Sequence, residues 1–256
     1  MIVPSMLYKE IYDHLLSDIH RVKFRTEYLL PKAIKEFKKA KKLPAWRWYE
    51  YTVPSTNNRY IIYFYVDSRL NIEKPVIGHY SILFKENKRF VVKAAASLYR
   101  HTEESALKLI RQIHVYSSHF LERYNERILK NKSLCANDVA CIYLSRNNIG
   151  GMPILMNESI NKRIEKYEGA RYGYRVRDGF CFAKNQVEGI LSEDGDCRKD
   201  KVDTMLILYK TFMNESDMKD TQLAAIDEGH YLAYQQAVQC LMKESKDGFI
   251  TLQLEP

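Results

Sequence analysis

The chain has few glycines and cysteines for its length, and no long apolar run. Its 256 residues include ten glycines, and the one adjacent pair, Gly150-Gly151, lacks the preceding strand, the glycine spacing and the Lys-Ser or Lys-Thr ending of a phosphate-cradling loop. The five cysteines (Cys135, Cys141, Cys181, Cys197, Cys240) are odd in number and form no C-x-x-C pair. A disulfide framework is therefore not expected, and reduced thiols are. The seven histidines supply no His-x-x-x-His pair on one helix, so no metal and no cofactor are expected. No serine sits in a Gly-x-Ser-x-Gly elbow. Nothing approaches the ~20 apolar residues needed to span a bilayer, and Met1-Ile2-Val3-Pro4-Ser5-Met6 lacks the charged-then-apolar order of a secretory signal. No membrane partner and a cytoplasmic location follow as expectations.

Basic charge, by contrast, is plentiful and unevenly placed. The formal net charge is +8, and residues 1–48 alone hold eleven Lys or Arg against five Asp or Glu. The densest part, residues 31–42, reads as a helix with Ile34 and Phe37 inward and Lys35, Lys38, Lys39, Lys41 and Lys42 outward. Such a face attracts RNA or another polyanion without reading its sequence. A lysine-rich helix that only keeps a protein soluble has the same composition. It lacks the broad apolar face of a membrane-surface helix.

Residues 7–30 have helical apolar spacing, and Pro31 is expected to divide them from the lysine-rich helix, giving a helical hairpin or a kinked helix. Past Pro44 the composition turns to aromatic and β-branched residues, which favour strand. The aromatic residues of 46–65, interleaved with Arg47 and Arg59, would suit base stacking. Aromatics in strands are usually half-buried packing, however, and no ribonucleoprotein signature is present. Glu86-Asn87-Lys88 reads as a hairpin turn, residues 102–113 as a helix, 116–130 as a charged helix, and 136–145 as another, with a break at 147–151. Asp178-Gly179 between alternating runs marks a second hairpin. A charged loop at 192–201, a strand at 202–212 and a C-terminal helix at 221–244 complete an α+β fold: an antiparallel sheet packed by helices, with a basic helical N-terminal segment and a long C-terminal helix. The organisation expected is 1–45, 46–112, 113–215 and 216–256, either as separate units or as one globular body.

One stretch combines composition and spacing in a way that suggests chemistry. On a helix with Ser118 as its cap, His119, Arg123, Arg127 and Lys130 fall on one narrow arc, with Glu122 and Glu126 beside them. Phe120, Leu121, Tyr124 and Ile128 occupy the other side. An imidazole, two guanidinium groups and two carboxylates on one face suit an anion. Glu and Arg at i, i+4 also describe an ordinary solvated helix.

Residues 118–128 resemble the Ser-x-His-Ala-x-x-Arg-x-x-x-Arg-Gly-Ile pattern of RelE-like, barnase-type ribonuclease toxin domains, and the likeness extends over about residues 113–213. No glycine precedes Ile128 here. The resemblance implies metal-independent RNA cleavage, with His119 as acid or base and Arg123 and Arg127 as phosphate ligands. It also implies partners on the last strand, Tyr209 or Thr211, and an antitoxin-like protein partner. Such cleavage needs a base, an acid and cations for the crowded phosphate. The second acid/base group stays open among His114, Glu122 and Glu126, with His79 and His101 reachable only through the fold. Two readings result: a nucleic-acid-directed protein acting as a toxin-like ribonuclease, or a non-catalytic binding or regulatory protein.

Overall fold

The computed structural model describes residues 1–99, 108–147, 153–157, 159–160, 172–188 and 204–247. The expected break at 148–151, the charged loop at 192–201, the helix start at Thr102, His101 and Cys197 lie outside them. Within them, Cys135, Cys141 and Cys181 are free thiols.

The chain opens with one helix, α1 (Tyr8–Lys38), so of the two alternatives the helical hairpin is excluded. Pro31 lies inside it and on its exposed side. Pro31 cannot donate to the carbonyl of Glu27, and both residues are exposed. The buried stripe meanwhile runs through the proline without interruption, from Ile11, Leu15, Asp18 and Val22 to Leu29, Ala33 and Phe37. Tertiary packing of that stripe outweighs the lost hydrogen bond.

Among the described residues a nine-stranded sheet follows, in the order β1-β2-β3-β4-β5-β9-β8-β7-β6. Its strands are β1 (Ala45–Thr52), β2 (Arg59–Val66), β3 (Val76–Lys85), β4 (Lys88–Tyr99), β5 (Lys108–Ser117), β6 (Ile154–Leu155), β7 (Tyr172–Val176), β8 (Gly179–Glu188) and β9 (Thr204–Met213). Every pairing is antiparallel except β5 with β9 at the centre. Residues 108–113, expected as helix, are therefore strand. Their two-residue alternation sends Ile113 and Val115 to one core while His114 and Tyr116 face the other side. Glu86 and Asn87, both at positive φ, close the β3–β4 hairpin, and the Asp178-Gly179 hairpin forms as expected.

α1 covers one face of the sheet, packing on Tyr60, Ile62, Phe64, Ile113 and Val115. The other face carries α2 (Ser118–Tyr124) and α3 (Ala136–Arg146). In α3 six consecutive residues, Val139 to Leu144, are buried. A helix apolar on every side must be enclosed, and α3 is held between the sheet and α2. Its C-terminal end is pinned by Asp178, which accepts hydrogen bonds from Tyr124, Arg146 and Asn147 at 2.6, 2.6 and 2.9 Å. Burial pushes the Asp178 carboxyl up, but these donors outweigh it and hold it below the ordinary carboxylate range. α4 (Asp220–Asp247) closes a third core through Ile226, Leu223, Ile154 and Phe180. No helix of the described residues is long and apolar enough to cross a membrane.

Packing in that third core is tight enough to test. A Cβ on Gly173 of β7 would lie 2.0 Å from Cζ of Phe180, which is fully buried. Gly173→Ala should cost ~2 kcal/mol through overpacking, read as a lower urea midpoint. An unchanged midpoint would mean that Phe180 can move aside.

Candidate nucleic-acid interface

The charged helix folds as a short α-helix whose polar side does not converge. Its cap is Ser117, one residue before the serine expected, and the Ser117 Oγ accepts from the Phe120 N–H at 3.1 Å. Ser118 instead donates to the Arg89 carbonyl. Phe120, Leu121 and Tyr124 are buried as expected. Past Tyr124 the backbone widens into one π-helical turn, Asn125–Leu129, ended by Lys130 at φ +51. This turn breaks the i, i+4 arc on which the sequence reading rested.

His119 and Glu122 are exposed to solvent. Arg123 pairs with Glu126 at 2.7 Å, both largely exposed. Arg127 is drawn the other way: its Nη1 donates to the carbonyl of Phe212 near the end of β9. Thr211 is half-buried on β9, opposite Phe182 in the ladder. The imidazole and the two guanidinium groups thus serve three different surroundings.

Two other candidates do meet, away from this helix. His114 of β5 and Tyr209 of β9 are both buried, their rings are stacked with centroids 5.8 Å apart, and Nδ1 lies 3.0 Å from the tyrosine Oη. Nε2 lies 3.2 Å from Oε1 of Gln112, which can only accept. Nε2 therefore carries the proton, and Tyr209 donates to Nδ1. Burial, reinforced by the nearby Lys93 charge, pushes the His114 imidazole down to about 4. A neutral, fully engaged imidazole is a packing element of the sheet rather than a free base.

The basic N-terminal segment builds a more open site. α1 ends at a turn of residues 39–44, and the chain re-enters the sheet as β1, an edge strand bonded only to β2. Trp46 and Trp48 project toward α3, and both indole N–H groups donate to Oδ1 of Asp138, at 2.8 and 3.0 Å. Asp138 also accepts from the Cys135 N–H. Burial raises its carboxyl, but the bonds from Cys135, Trp46 and Trp48 prevail and keep it below the ordinary value. The indoles are held by their N–H edges and remain half-buried. They line a cleft of about 490 Å³ with Lys41, Lys42, Pro44 and Arg47.

Arg47 turns to the α1 side, where its Nε binds Glu36 at 2.7 Å. Lys38 pairs with Glu73 at 2.6 Å. Lys35, Lys39, Lys41 and Lys42 are exposed and make no ion pair among the described residues. The aromatic run of 46–65 divides accordingly: Tyr60, Tyr63, Phe64 and Tyr65 are core, Tyr49 and Tyr51 are half-buried under Lys32 and Arg25, and the β1 tryptophans line this cleft. Asp138, which fixes them, carried no signal in the sequence, because its partners lie about ninety residues away. Among the described residues no group of His, Cys, Asp or Glu is arranged to hold a metal.

No protein-family model, curated protein or solved structure matches the chain.

Proposed function

We propose that the protein is a nucleic-acid-directed binding protein that holds a single-stranded polyanion in the cleft between the end of α1 and β1. The observation that carries this reading is the meeting of unpaired ammonium groups, Lys41 and Lys42, with two half-buried indoles, Trp46 and Trp48, in one cleft. Cations that follow a phosphate backbone beside aromatic faces on which bases stack are what sequence-tolerant single-strand binding requires. Lys35 and Lys39 extend the positive surface along α1. The ribonuclease reading would need His119, Arg123 and Arg127 in one concavity. Exposure of His119 and the separate engagement of the two arginines support binding over cleavage.

Trp46 and Trp48 are the only tryptophans of the chain, so its intrinsic tryptophan emission reports on this cleft alone. A labelled ten-nucleotide single-stranded RNA should quench that emission and gain anisotropy. The Lys41→Glu/Lys42→Glu variant should bind at least tenfold more weakly. It should also flatten the plot of log K against log salt by more than one unit, at ~0.7 per single-strand phosphate contact. His119→Ala should bind as the parent does, and the RNA should survive incubation in EDTA. Anisotropy without quenching would remove the cleft from the reading. Cleavage abolished by His119→Ala would replace binding with catalysis.

A further inference from the structure

The β3–β4 hairpin opens partway along its length. Its ladder pairs Lys85 with Lys88 and continues to Ser81 with Val92, where it stops. β3 nevertheless runs on to Val76 against β2, and β4 runs on to Tyr99 against β5. Residues 76–80 and 93–97 therefore border a split inside the sheet. On the far face the Tyr63 ring lies so close to Gly78 that a Cβ there has no room. On the near face α1 roofs the split, and a cavity of about 430 Å³ lies beneath it. That volume lies in the ~300–1,000 Å³ range of small-molecule sites.

Strand register decides which side chains enter this cavity. Tyr60, Ile62 and Phe64 of β2 face α1, so their cross-strand partners on β3, which are Ser81, His79 and Ile77, face it too. Val92 of β4 lies on the same face. Alternation then puts Ala94 on that face and turns Lys93 to the other, opposite His114 in the β4–β5 ladder. Leu15, Leu16 and Ile19 of α1, with Ile77, Val92 and Ala94, form apolar walls. Leu16 and Ile77 are 52 % and 45 % exposed and mark the mouth.

His79 stands among these walls. Its ring is edge-on to Tyr60 with centroids 6.2 Å apart, and the Tyr60 hydroxyl is itself engaged by Asp18. The Ser81 hydroxyl is engaged as well, donating to the Arg59 carbonyl at 3.1 Å. The His79 ring makes no hydrogen bond among the described residues. Burial, aided by the Lys93 and Lys23 charges, pushes the imidazole down to about 4, so it is neutral at pH 7. A neutral imidazole offers one donor and one acceptor, and a hydroxyl satisfies whichever nitrogen it meets.

We propose that the split between β3 and β4 is a binding site for an uncharged amphiphile, whose aliphatic chain lies along Leu15, Leu16, Ile19 and Ile77 and whose terminal hydroxyl hydrogen-bonds the His79 ring. Apolar walls select the hydrocarbon, and a neutral hydrogen-bonding group excludes an anionic head that would enter the cavity unpaired. The site is independent of the basic cleft at β1.

Titration calorimetry of the full chain at pH 7.5 with 1-decanol tests the assignment, with decanoate as the charged comparison. Decanol should bind with a stoichiometry of one and raise the melting temperature, and decanoate should bind at least tenfold more weakly. His79→Leu, which keeps an apolar side chain and removes the hydrogen bond, should weaken decanol about fivefold. Ala94→Trp, at an exposed position of the wall, should abolish binding and serves if His79→Leu does not fold. Absence of saturable binding, binding of many molecules per chain, decanoate affinity equal to or above that of decanol, or unchanged decanol affinity in folded His79→Leu or Ala94→Trp protein would each overturn the proposal.

Discussion

Acidification from pH 7.5 to 4 should destabilise the protein well before its carboxylates are protonated, and His114 should account for much of the loss. Burial, aided by the Lys93 charge, holds this imidazole down to about 4 against an ordinary 6.5. Between those two values the unfolded chain binds a proton that the folded chain refuses, so stability falls as pH falls through the window. The slope is ~1.4 kcal/mol per pH unit for one proton, or roughly 3 kcal/mol over the whole interval. His79, pushed down to about 4 by burial and by Lys93 and Lys23, adds to the loss in the same direction, with a smaller weight because it is only half-buried. Asp138 and Asp178, whose pKa values are depressed, contribute stability that is present above 3.8 and lost only below it. The two classes therefore separate on the pH axis.

Urea unfolding at pH 7.5, 6, 5 and 4 measures the slope. His114→Gln should be less stable than the parent at pH 7.5, since Tyr209 loses its partner, and the gap should close by pH 5. A folded His114→Gln protein with the parent's full pH slope would show that the buried imidazole is not the acid-sensitive group.

The helices and hairpins that the sequence made visible are those whose signals are local. Asp178-Gly179 between alternating runs and the polar 86–88 turn specify their own hairpins, and α3 and α4 follow apolar spacing. Residues 108–113 were misread because leucine, lysine and arginine favour helix, whereas their place between β4 and the parallel partner β9 is decided by residues nearly a hundred positions away. The helical hairpin allowed at Pro31 does not form for the opposite reason, a local rule overridden by a continuous buried stripe. At the charged helix the residue types were legible but their directions were not. One π-helical turn, invisible in composition, carries Arg127 away from His119 to the end of β9. The β1 cleft was half legible, through its lysines and tryptophans. Its organising carboxylate, Asp138, is legible only once the fold has brought α3 beside β1.

Asp18 shows the same limit at its most consequential, and replacing it should produce the largest single-residue loss of stability among the polar core positions. It stands in the apolar stripe of α1, four residues from Val22 and three from Leu15, where spacing predicts a hydrocarbon side chain. It is 1 % exposed. Instead of a cation it is met by three neutral donors from the β1–β2 turn and β2: Asn58 Nδ2 at 2.6 Å, Thr56 Oγ1 at 2.9 Å and Tyr60 Oη at 3.0 Å. Asn58 in turn accepts from the Ile2 N–H at 2.7 Å, so one carboxylate ties the chain start, α1 and the β1–β2 hairpin together. Asp18→Ala would orphan those donors in the core. At ~1–3 kcal/mol per unsatisfied buried group, with the two hydroxyls free to turn, the cost should be about 3–4 kcal/mol. That is a large share of the ~5–15 kcal/mol typical of a folded domain. Asp18→Asn keeps one acceptor and the volume, and should lose about half as much. The order Ala below Asn below parent in urea midpoint tests the network. An Asp18→Ala protein within 1 kcal/mol of the parent would mean that water replaces the carboxylate, and that α1 is held to the hairpin by its apolar stripe alone.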